Sequence, residues 1–344
     1  MSGVTRVLVV DDSAYVRKVV SQMLSRTGDI QVVGIARDGN EALDLVEELR
    51  PDVVTCDLVM PELDGVGFVQ TQMSRRPVPI VIVSVANESG EQVLSALDAG
   101  AVDFVQKPTA LATDRLLEIG QELTDKVKAA AASRVHRPVS VAAAPAMMHA
   151  GVRTSGAFEV IVIGISTGGP QALKLLIPRL PANLPVPVAV VLHMPIGYTQ
   201  LYAEKLNETS AIRVCEASDQ GRFEPGTVYI APAGRHLTIE RNGEHLCTRL
   251  DVRPLDTLYR PSVDVLFQSA ANVFGARVLG VVMTGMGSDG REGAAWIKAK
   301  GGTVLTEAED SCVVYGMPRS VVEAGLSDGA FDLGEMADAI LEHV

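Results

Sequence analysis

Short apolar runs alternate with amphipathic segments along the first third of the chain. The runs that predict buried strands are Val7–Val10, Gln31–Ala36, Val53–Cys56, Ile80–Val83 and Val102–Val105. After the first run, Val16, Val19, Val20, Met23 and Leu24 recur at helical spacing and form one apolar stripe. Because strands and helices alternate, the pattern predicts five βα units. Such units build a parallel, doubly wound α/β sheet with helices on both faces.

The same alternation begins again after residue 158. The predicted elements are the strands Glu159–Gly164, Val186–His193 and Val278–Thr284 and the helix Gly169–Leu180. The stretch from Thr227 to Leu250 differs, because it contains short strands, turns and the hairpin signal Arg241-Asn242-Gly243. The sequence therefore predicts a second doubly wound domain, Rossmann-like, with a β-hairpin insert or an antiparallel extension of its sheet.

A segment of different composition separates the two predicted domains. It contains basic residues, no acidic residue and runs of alanine; its basic residues are Lys126, Lys128, Arg134, Arg137 and Arg153. Such a composition is typical of a linker. We therefore expect domains at residues 1–125 and 158–344, joined by a flexible basic linker at 126–157 whose first part extends a helix.

Composition narrows the classes of function. With 344 residues and 47% hydrophobic residues, the chain can bury substantial cores. Its 42 acidic and 30 basic residues give a net charge of −12, which argues against a nucleic-acid-binding surface. Its 4 cysteines are widely scattered and fit neither a metal site nor a disulfide framework. Since neither a signal peptide nor an apolar stretch of roughly 20 residues is visible, we expect a cytoplasmic protein without membrane insertion.

Polar side chains follow four of the strands predicted in the first domain. They are Asp11 and Asp12 after the first, Asp57 after the third, Ser84 after the fourth and Lys107 after the fifth. Ligands of doubly wound sheets bind outside the carboxyl ends of the strands. Three converging carboxylates would repel one another unless they held a hard cation such as Mg²⁺. One carboxylate could then attack a phosphoryl donor while Lys107 and Ser84 stabilise the transferring oxygens.

In type, order and spacing, these residues resemble the receiver domain of two-component response regulators. The resemblance covers about residues 4–123 and includes the turn Asp57-x-x-Met60-Pro61-x-x-Asp64-Gly65. It implies a flavodoxin-like fold with Asp57 as the phosphoacceptor. It further implies that Asp11, Asp12, Asp57 and the backbone carbonyl of Val59 surround Mg²⁺. Ser84, Phe104 and Lys107 match the residues that respond to phosphorylation in this family.

A serine lies on a tight turn at the start of the second domain. The sequence Gly164-Ile165-Ser166-Thr167-Gly168 follows a predicted strand and opens a helix. G-x-S-x-G is the pattern of a nucleophile elbow, which exposes a serine hydroxyl beside backbone N–H donors. Alone, the pattern also fits a glycine-rich phosphate cradle or a plain turn, although the chain has neither a Walker lysine nor G-x-G-x-x-G.

A histidine and an aspartate follow two other strands of this domain. A nucleophilic serine needs a base, for which His193 is a candidate, and the imidazole needs a carboxylate, for which Asp289 is a candidate. Taken singly, His193 also fits a core histidine, and Asp289 a cap of the helix Gly290–Lys300. The order Ser, His, Asp differs from the Ser, Asp/Glu, His order of α/β-hydrolases. It therefore indicates a separate Rossmann-like arrangement of the triad.

Longer segments around these residues carry a closer resemblance. They are Ile165-Ser166-Thr167-Gly168-Gly169, His193-Met194-Pro195, Arg260-Pro261-Ser262-Val263-Asp264 and Thr284-Gly285-Met286-Gly287-x-Asp289-Gly290. Together with the receiver, they resemble the chemotaxis protein-glutamate methylesterases (CheB-type). The resemblance implies hydrolysis of glutamate γ-methyl esters on cytoplasmic helices of chemoreceptors and, as often in the family, deamidation of receptor glutamines.

The resemblance also implies roles for residues and partners. Ser166 is then the nucleophile, His193 the general base and Asp289 the residue that orients it, without a cofactor in the hydrolase site. A chemotaxis histidine kinase would phosphorylate the receiver and relieve its block of the hydrolase. Backbone N–H groups near Thr167 or Met286 would serve the oxyanion.

Some assignments have alternatives. Arg260, Asp264 and Met286 suit substrate contact and a structural role equally well. The chain departs from the family at Tyr259, where a histidine is common, and at Ile196, where a proline is usual. A noncatalytic receiver-linked adaptor, a small-ester hydrolase and a methylesterase for a protein outside chemotaxis therefore stay as alternatives. Nothing in the sequence demands more than a monomer.

Overall fold

The chain forms two compact units, each with its own sheet. The computed structural model describes residues 4–85, 90–107, 113–133, 158–243 and 245–344. The units are Met1–Val141 and Ala142–Val344. From residue 134 onward, the predicted linker lies outside the described residues.

The first unit has a parallel sheet with the strand order β2-β1-β3-β4-β5. The strands are β1 (Thr5–Val10), β2 (Ile30–Ala36), β3 (Val53–Cys56), β4 (Ile80–Val85) and β5 (Asp103–Lys107). The helices are α1 (Ala14–Ser25), α2 (Gly39–Leu49), α3 (Gly65–Arg75), α4 (Gly90–Asp98) and α5 (Thr113–Ala131). The predicted βα alternation is confirmed, and this strand order is the flavodoxin-like one.

Side-chain caps fix where the first helices of this unit begin. Ser13, Asp38 and Asp64 accept hydrogen bonds from the backbone N–H groups of Val16, Glu41 and Gly67, at 3.4, 2.9 and 2.7 Å. These side chains satisfy donors that have no partner within the helix. The helices therefore begin close behind the strands, which keeps the polar residues at the strand ends near one another.

Helix α5 continues into the segment of basic composition, as expected for its first part. Lys126 lies in this helix and forms ion pairs with Asp103 and Glu122, both at 3.0 Å. Lys128 pairs with Asp29 at 2.7 Å. Both lysines are thus part of the folded first unit.

The second unit has a parallel sheet with the order β14-β13-β12-β6-β7-β9-β8 and a separate antiparallel hairpin, β10-β11. The strands are β6 (Val160–Ile165), β7 (Val188–Leu192), β8 (Arg213–Glu216), β9 (Thr227–Ile230), β10 (His236–Asn242), β11 (His245–Asp251), β12 (Val278–Val282), β13 (Thr303–Glu307) and β14 (Gly329–Phe331). The helices are α6 (Gly169–Leu176), α7 (Thr199–Glu208), α8 (Val263–Phe274), α9 (Arg291–Ala299), α10 (Met317–Glu323) and α11 (Leu333–Leu341), with 3₁₀ turns at Ile177–Arg179 and Gly275–Arg277.

The sequence predicts that the stretch from Thr227 to Leu250 forms either a β-hairpin insert or an antiparallel extension of the sheet, and the structure shows the insert. Strands β10 and β11 form a separate insert, whereas β9 joins the main sheet in parallel to β7. Helix α8 packs between the hairpin and the main sheet, where Leu266, Phe267 and Phe274 are buried. The hairpin thus covers a helix instead of extending the sheet.

Strand β6 lies at the centre of the second sheet. The chain adds β7 on one side of it and β12 on the other, so the strand order reverses at β6. Ligands of open α/β sheets bind at such a reversal, outside the carboxyl ends of the strands. Among the described residues, no helix has the length and apolar character to cross a membrane.

Candidate functional site

Ser166, His193 and Asp289 lie at the carboxyl ends of three neighbouring strands of the second sheet. The backbone N–H of His193 donates to the Ile165 carbonyl at 3.1 Å, and that of Ser166 donates to the Thr284 carbonyl at 3.0 Å. Ser166 follows β6, His193 follows β7 and Asp289 follows β12 after a short turn. The three residues therefore gather at the reversal of strand order, as the sequence predicts.

The turn that carries Ser166 requires glycine. Gly168 has a φ of +79°, and a Cβ atom there would lie 2.6 Å from the Cβ atom of Val313. Both features exclude larger residues. Pro170 lies in the first turn of α6, where a missing N–H costs nothing. The chain thus turns sharply from strand into helix, and Ser166 stays half-buried at the bend.

His193 is bound to Asp289 through one ring nitrogen. The distance from His193 Nε2 to Asp289 Oδ2 is 2.9 Å, and both side chains are buried. Within the described part of the chain, the buried Nδ1 atom of His193 has no hydrogen-bond partner. When Nε2 carries the proton that Asp289 accepts, Nδ1 presents a lone pair. In this structure the histidine is therefore joined to the aspartate but not to the serine. The lone pair on Nδ1 is of the kind that can deprotonate a serine hydroxyl.

The start of helix α8 surrounds the Asp289 carboxylate with donors. Oδ1 accepts from Ser262 Oγ at 2.9 Å and from the Asp264 N–H at 3.0 Å, and Oδ2 accepts from the Val263 N–H at 2.8 Å. Burial alone would raise the pKa of Asp289, but the His193 contact and the backbone donors outweigh it and lower the pKa to about 2. The carboxylate is therefore ionised at neutral pH. Asp289 is indeed a helix cap, but of α8 and not of the helix that follows it.

Asp264 caps the helix that follows Asp289. Its Oδ1 accepts from the N–H groups of Gly290 at 2.9 Å and Gly293 at 2.7 Å, at the start of α9. Burial, assisted by the charge of Asp289, raises the pKa of Asp264 to about 6. Asp264 therefore supports the turn that carries Asp289.

Thr284 links the serine turn to the turn after β12. Its hydroxyl donates to the Thr167 carbonyl at 3.0 Å, and its N–H donates to Glu307 Oε2 at 2.9 Å. Thr167 is buried and Met286 is half-buried. No described residue accepts a hydrogen bond from the Met286 N–H, which leaves this donor available to a ligand.

Two buried polar residues near this site were not predicted from the sequence. Glu307 is fully buried, and burial raises its pKa. The signal was an acid at the end of the apolar run Thr303–Glu307. His236 is also fully buried, and its Nδ1 accepts from the Ser262 N–H at 3.2 Å. Burial lowers the pKa of His236, so this imidazole stays neutral and holds Ser262 beside Asp289.

Arg260 contacts its own loop. Its Nη2 lies 3.3 Å from the Leu255 carbonyl and 3.5 Å from the Pro254 carbonyl. These contacts favour the structural alternative for this residue. The preceding residue, Tyr259, stacks on His193 with 4.3 Å between the ring centroids.

A second polar cluster lies at the carboxyl ends of the strands in the first unit. Lys107 Nζ is 2.6 Å from Asp11 Oδ2 and 2.7 Å from Asp57 Oδ2. One carboxylate oxygen from each of Asp11, Asp12 and Asp57 lies within 4.8 Å of the others. Oxygen donors of this kind are those that hard divalent cations prefer. The cluster therefore has the chemistry of a metal site.

Lysine and carboxylates stabilise one another in this cluster. Burial alone would lower the pKa of Lys107, but the neighbouring charges of Asp57 and Asp11 outweigh it and raise the pKa. Burial raises the pKa of Asp11. Lys107 thus stays protonated and compensates part of the negative charge.

The turn after Asp57 also depends on a glycine. A Cβ atom on Gly65 would lie 2.1 Å from the Asp57 carbonyl oxygen, and the Gly65 N–H donates to the Leu58 carbonyl at 2.9 Å. Leu58 in turn donates its N–H to Asp57 Oδ1 at 2.8 Å. The side chain of Val59, which lies in this turn, is 48% exposed. The close approach thus restricts the backbone of this turn, and the Leu58 N–H holds the Asp57 side chain.

Ser84 and Phe104 lie on the neighbouring strands β4 and β5, and both are buried. The ammonium group of Lys126 donates to the Phe104 carbonyl at 2.7 Å and lies 5.7 Å from the centre of the phenyl ring. The aromatic side chain is therefore held inward, beneath helix α5.

Comparison with known proteins assigns each of the two units to a family. Residues 161–340 match the family model "CheB methylesterase", and residues 7–119 match "Response regulator receiver domain". A protein-glutamate methylesterase/protein-glutamine glutaminase of Myxococcus xanthus is 51% identical over 98% of both chains. One of Symbiobacterium thermophilum is 44% identical over 98% of this chain and 97% of its own. The crystal structure of the Thermotoga maritima CheB methylesterase catalytic domain aligns with a TM-score of 0.53 and 41% identity, covering 54% of this chain and 99% of that one.

Proposed function

The chain belongs to the CheB methylesterase family and carries a response regulator receiver domain, and from this premise we propose its reaction and its regulation. It is a phosphorylation-controlled hydrolase that removes methyl groups from glutamate γ-methyl esters of chemoreceptors. One observation supports this above all others. A buried His193–Asp289 pair at 2.9 Å leaves Nδ1 of the imidazole without a partner among the described residues, and the backbone N–H of His193 donates to Ile165, the residue before Ser166.

The first half of the reaction is acyl transfer to Ser166. Nδ1 of His193 takes the hydroxyl proton, and Oγ forms a bond to the ester carbonyl carbon while that carbonyl oxygen becomes an oxyanion. The oxyanion then reforms the carbonyl, and the bond to the methoxy oxygen breaks. The imidazolium returns its proton to this leaving group, which departs as methanol.

The second half releases the carboxylate. Water attacks the acyl-serine carbonyl while His193 takes one proton from the water. His193 then gives this proton to Ser166 Oγ, which departs as the leaving group. Asp289 keeps the ring in one orientation and stabilises the imidazolium in both halves. The N–H groups of Thr167 and Met286 are the proposed oxyanion donors, because both residues flank the serine turn.

The same chemistry deamidates glutamine. Ammonia replaces methanol as the leaving group, and the acyl-serine intermediate is identical. The relative from Myxococcus xanthus is named for both activities. We therefore extend the proposal to receptor glutamines.

Phosphorylation of Asp57 controls this reaction. The donor is a chemotaxis histidine kinase, and the transfer takes place in the cytoplasm. Asp11, Asp12, Asp57 and the Val59 carbonyl would hold Mg²⁺, which neutralises the charge of the phosphoryl oxygens when bound. Lys107, which now pairs with Asp57 at 2.7 Å, would contact a phosphoryl oxygen. Ser84 and Phe104 would respond as the switch residues on β4 and β5.

The experiment is methanol release from methylated receptor membranes, with and without a small phosphodonor and Mg²⁺. The parent protein should release methanol faster with the phosphodonor, Asp57→Asn should lose this stimulation, and Ser166→Ala should release none. Ser210→Ala is a matched control, since its hydroxyl contacts only the Leu206 carbonyl, at 2.7 Å, among the described residues. Methanol release by folded Ser166→Ala would refute the proposed nucleophile. Release by none of the proteins, with Asp57 still phosphorylated, would favour the noncatalytic adaptor.

A further inference from the structure

The phenol ring of Tyr259 lies flat against the imidazole of His193. Their centroids are 4.3 Å apart and their planes differ by 18°. We propose that Tyr259 is a positioning residue of the hydrolase site, which fixes the plane of His193 and stabilises its protonated form. This inference rests on the proposed function, in which His193 is the base.

The hydrogen bond to Asp289 does not by itself orient the imidazole. It holds Nε2 at one point, and the ring can still tilt about that point. A flat aromatic contact over one face removes this freedom, because tilting would bring ring atoms together. Nδ1, which must receive the serine proton, is then held in one direction.

The backbone next to Tyr259 is hydrogen-bonded, and the phenol oxygen lies near Gly287. The carbonyl of the next residue, Arg260, accepts from the Gly234 N–H at 3.0 Å. The phenol oxygen lies 3.6 Å from the position that a Cβ atom on Gly287 would take. Since Gly287 lies in the turn that carries Asp289, the phenol oxygen lies beside the same turn that supplies the carboxylate.

The contact also bears on the charge that forms during the reaction. His193 becomes an imidazolium when it takes the serine proton, and an aromatic face attracts a cation. The attraction is greater for a desolvated cation, and the His193 side chain is only 8% exposed. Tyr259 therefore stabilises the charged state more than the neutral one. Removal of the aromatic face should lower kcat and move the acidic limb of the pH profile of kcat/KM to lower pH.

The test compares Tyr259→Phe and Tyr259→Leu in the full chain, with the phosphodonor and Mg²⁺ present. We expect Tyr259→Phe to keep the parental kcat within about twofold and the parental acidic limb, since it keeps the aromatic face. Tyr259→Leu should lose about tenfold in kcat, with KM little changed and the acidic limb moved by up to about one pH unit. Leu258→Ala is the control, because Leu258 is the neighbouring residue and is 86% exposed.

A spectroscopic measurement keeps the test independent of turnover. In the Ser166→Ala background, the stacked ring should shift the His193 ring protons upfield, and this shift should disappear in Tyr259→Leu but not in Tyr259→Phe. Tyr259→Met replaces Tyr259→Leu if the latter does not fold, and it should show the same losses, because it also lacks an aromatic face.

The outcomes separate this inference from the proposed function. Parental kcat and an unmoved acidic limb in Tyr259→Leu, with Ser166→Ala inactive, would overturn the role of Tyr259 alone. Equal losses in Tyr259→Phe and Tyr259→Leu would also overturn it, because the hydroxyl and not the ring face would then matter. Methanol release by Ser166→Ala at the parental rate would refute the proposed nucleophile, whatever the Tyr259 variants do.

Discussion

Asp264 and Asp289 each cap the helix associated with the other. Asp289 accepts the N–H groups of Val263 and Asp264 at the start of α8, which carries Asp264. Asp264 accepts the N–H groups of Gly290 and Gly293 at the start of α9, which follows Asp289. The two helices and the turn between β12 and α9 are thus joined by two carboxylates, one of which also binds His193.

The two capping carboxyl groups differ in pKa. Asp289, with its additional contact to His193, has a pKa lowered to about 2, whereas the pKa of Asp264 is raised to about 6. Helix N-termini stabilise anions. The carboxylate that faces the histidine is therefore the one that stays ionised through the pH range in which the enzyme is expected to work.

Asp264→Asn should change the pH dependence of stability. Because the folded pKa of Asp264, about 6, exceeds the unfolded value of 3.8, the folded state binds more protons between these values. The stability from this group is therefore fully present below pH 4 and is lost as pH rises through 6. Thermal unfolding should show Asp264→Asn losing stability relative to the parent as pH falls from 7 to 4.

The control for this prediction is Asp264→Ala. It also removes the oxygen that caps α9 and should cost about 1 kcal/mol further at every pH. The measurements stay above pH 4 to avoid a contribution from Asp289. Its pKa is about 2 in the folded state and 3.8 in the unfolded state, so its contribution to stability is lost as pH falls below 3.8. A stability difference between Asp264→Asn and the parent that is constant from pH 4 to 7 would contradict the prediction.

Asp289→Asn should abolish most of the activity without unfolding the protein. With the amide oxygen in the Oδ1 position, Ser262 and Asp264 keep their acceptor, but the Val263 N–H loses its acceptor at a cost of about 1–3 kcal/mol. The NH₂ group in the Oδ2 position faces His193, makes Nε2 the acceptor and places the proton on Nδ1. Nδ1 could then not deprotonate Ser166. We expect kcat for methanol release to fall by roughly 10³–10⁴. Asp264→Asn is the matched control and should stay within about tenfold of the parent; equal losses in both would indicate a structural effect only.

Much of the fold and of the site was predictable because both follow local patterns. Strands β1 and β3 and helix α9 lie within about two residues of their predicted bounds. Ser166, His193 and Asp289 were recognisable because residues after parallel strands meet at one edge of a sheet. The strands and the convergence of these residues needed only the period of the apolar residues and the position of polar residues relative to strands, whereas the roles of the three residues came from the resemblance to a known family.

Contacts between distant segments were not predictable in this way. Nothing local indicates that Asp289 caps α8, since its partner Val263 lies on a separate helix. Nor does the sequence indicate which nitrogen of His193 it binds. The edge strands β8 and β14 have only 4 and 3 residues, too few to show a period. The buried His236 and Glu307 gain their meaning only from the tertiary contacts that satisfy them.

Gly65→Ala should destabilise the receiver. The added methyl group would lie 2.1 Å from the Asp57 carbonyl oxygen, so the backbone of the turn has to shift. We expect a loss of about 1–3 kcal/mol in the free energy of unfolding of the first unit. Urea titration followed by hydrogen exchange at β1 and β3 measures it.

The matched control is Gly120→Ala in the same unit. A Cβ atom there would lie 3.6 Å from the nearest atom of Met23, which is an ordinary contact. Gly120 lies inside helix α5, so alanine should stabilise the unit by about 0.5–1 kcal/mol. No loss of stability in Gly65→Ala, with Gly120→Ala stabilised, would show that the close approach at Gly65 is relieved elsewhere.

Lys107→Ala should increase the affinity for Mg²⁺ and lower the stability of the protein without the ion. Lys107 Nζ lies 2.6 Å from Asp11 Oδ2 and 2.7 Å from Asp57 Oδ2, so its charge compensates the carboxylates that the ion would bind. Two unit charges about 4 Å apart interact by about 1–4 kcal/mol in partly solvated surroundings, so removal of the ammonium should raise the affinity at least about tenfold. Without Mg²⁺, the variant should be less stable than the parent, because two buried carboxylates lose their partner.

Calorimetric titration with Mg²⁺ at fixed ionic strength, beside thermal unfolding with and without the ion, measures both effects. Lys18→Ala is the control, because it removes one positive charge from an exposed position on α1. Tighter Mg²⁺ binding and recovery of stability by Mg²⁺ would mean that lysine and ion compete for the same negative charge. Weaker binding in Lys107→Ala would mean instead that the lysine organises the carboxylates for the ion. The 2.7 Å contact would then be part of the metal site and not an alternative to it.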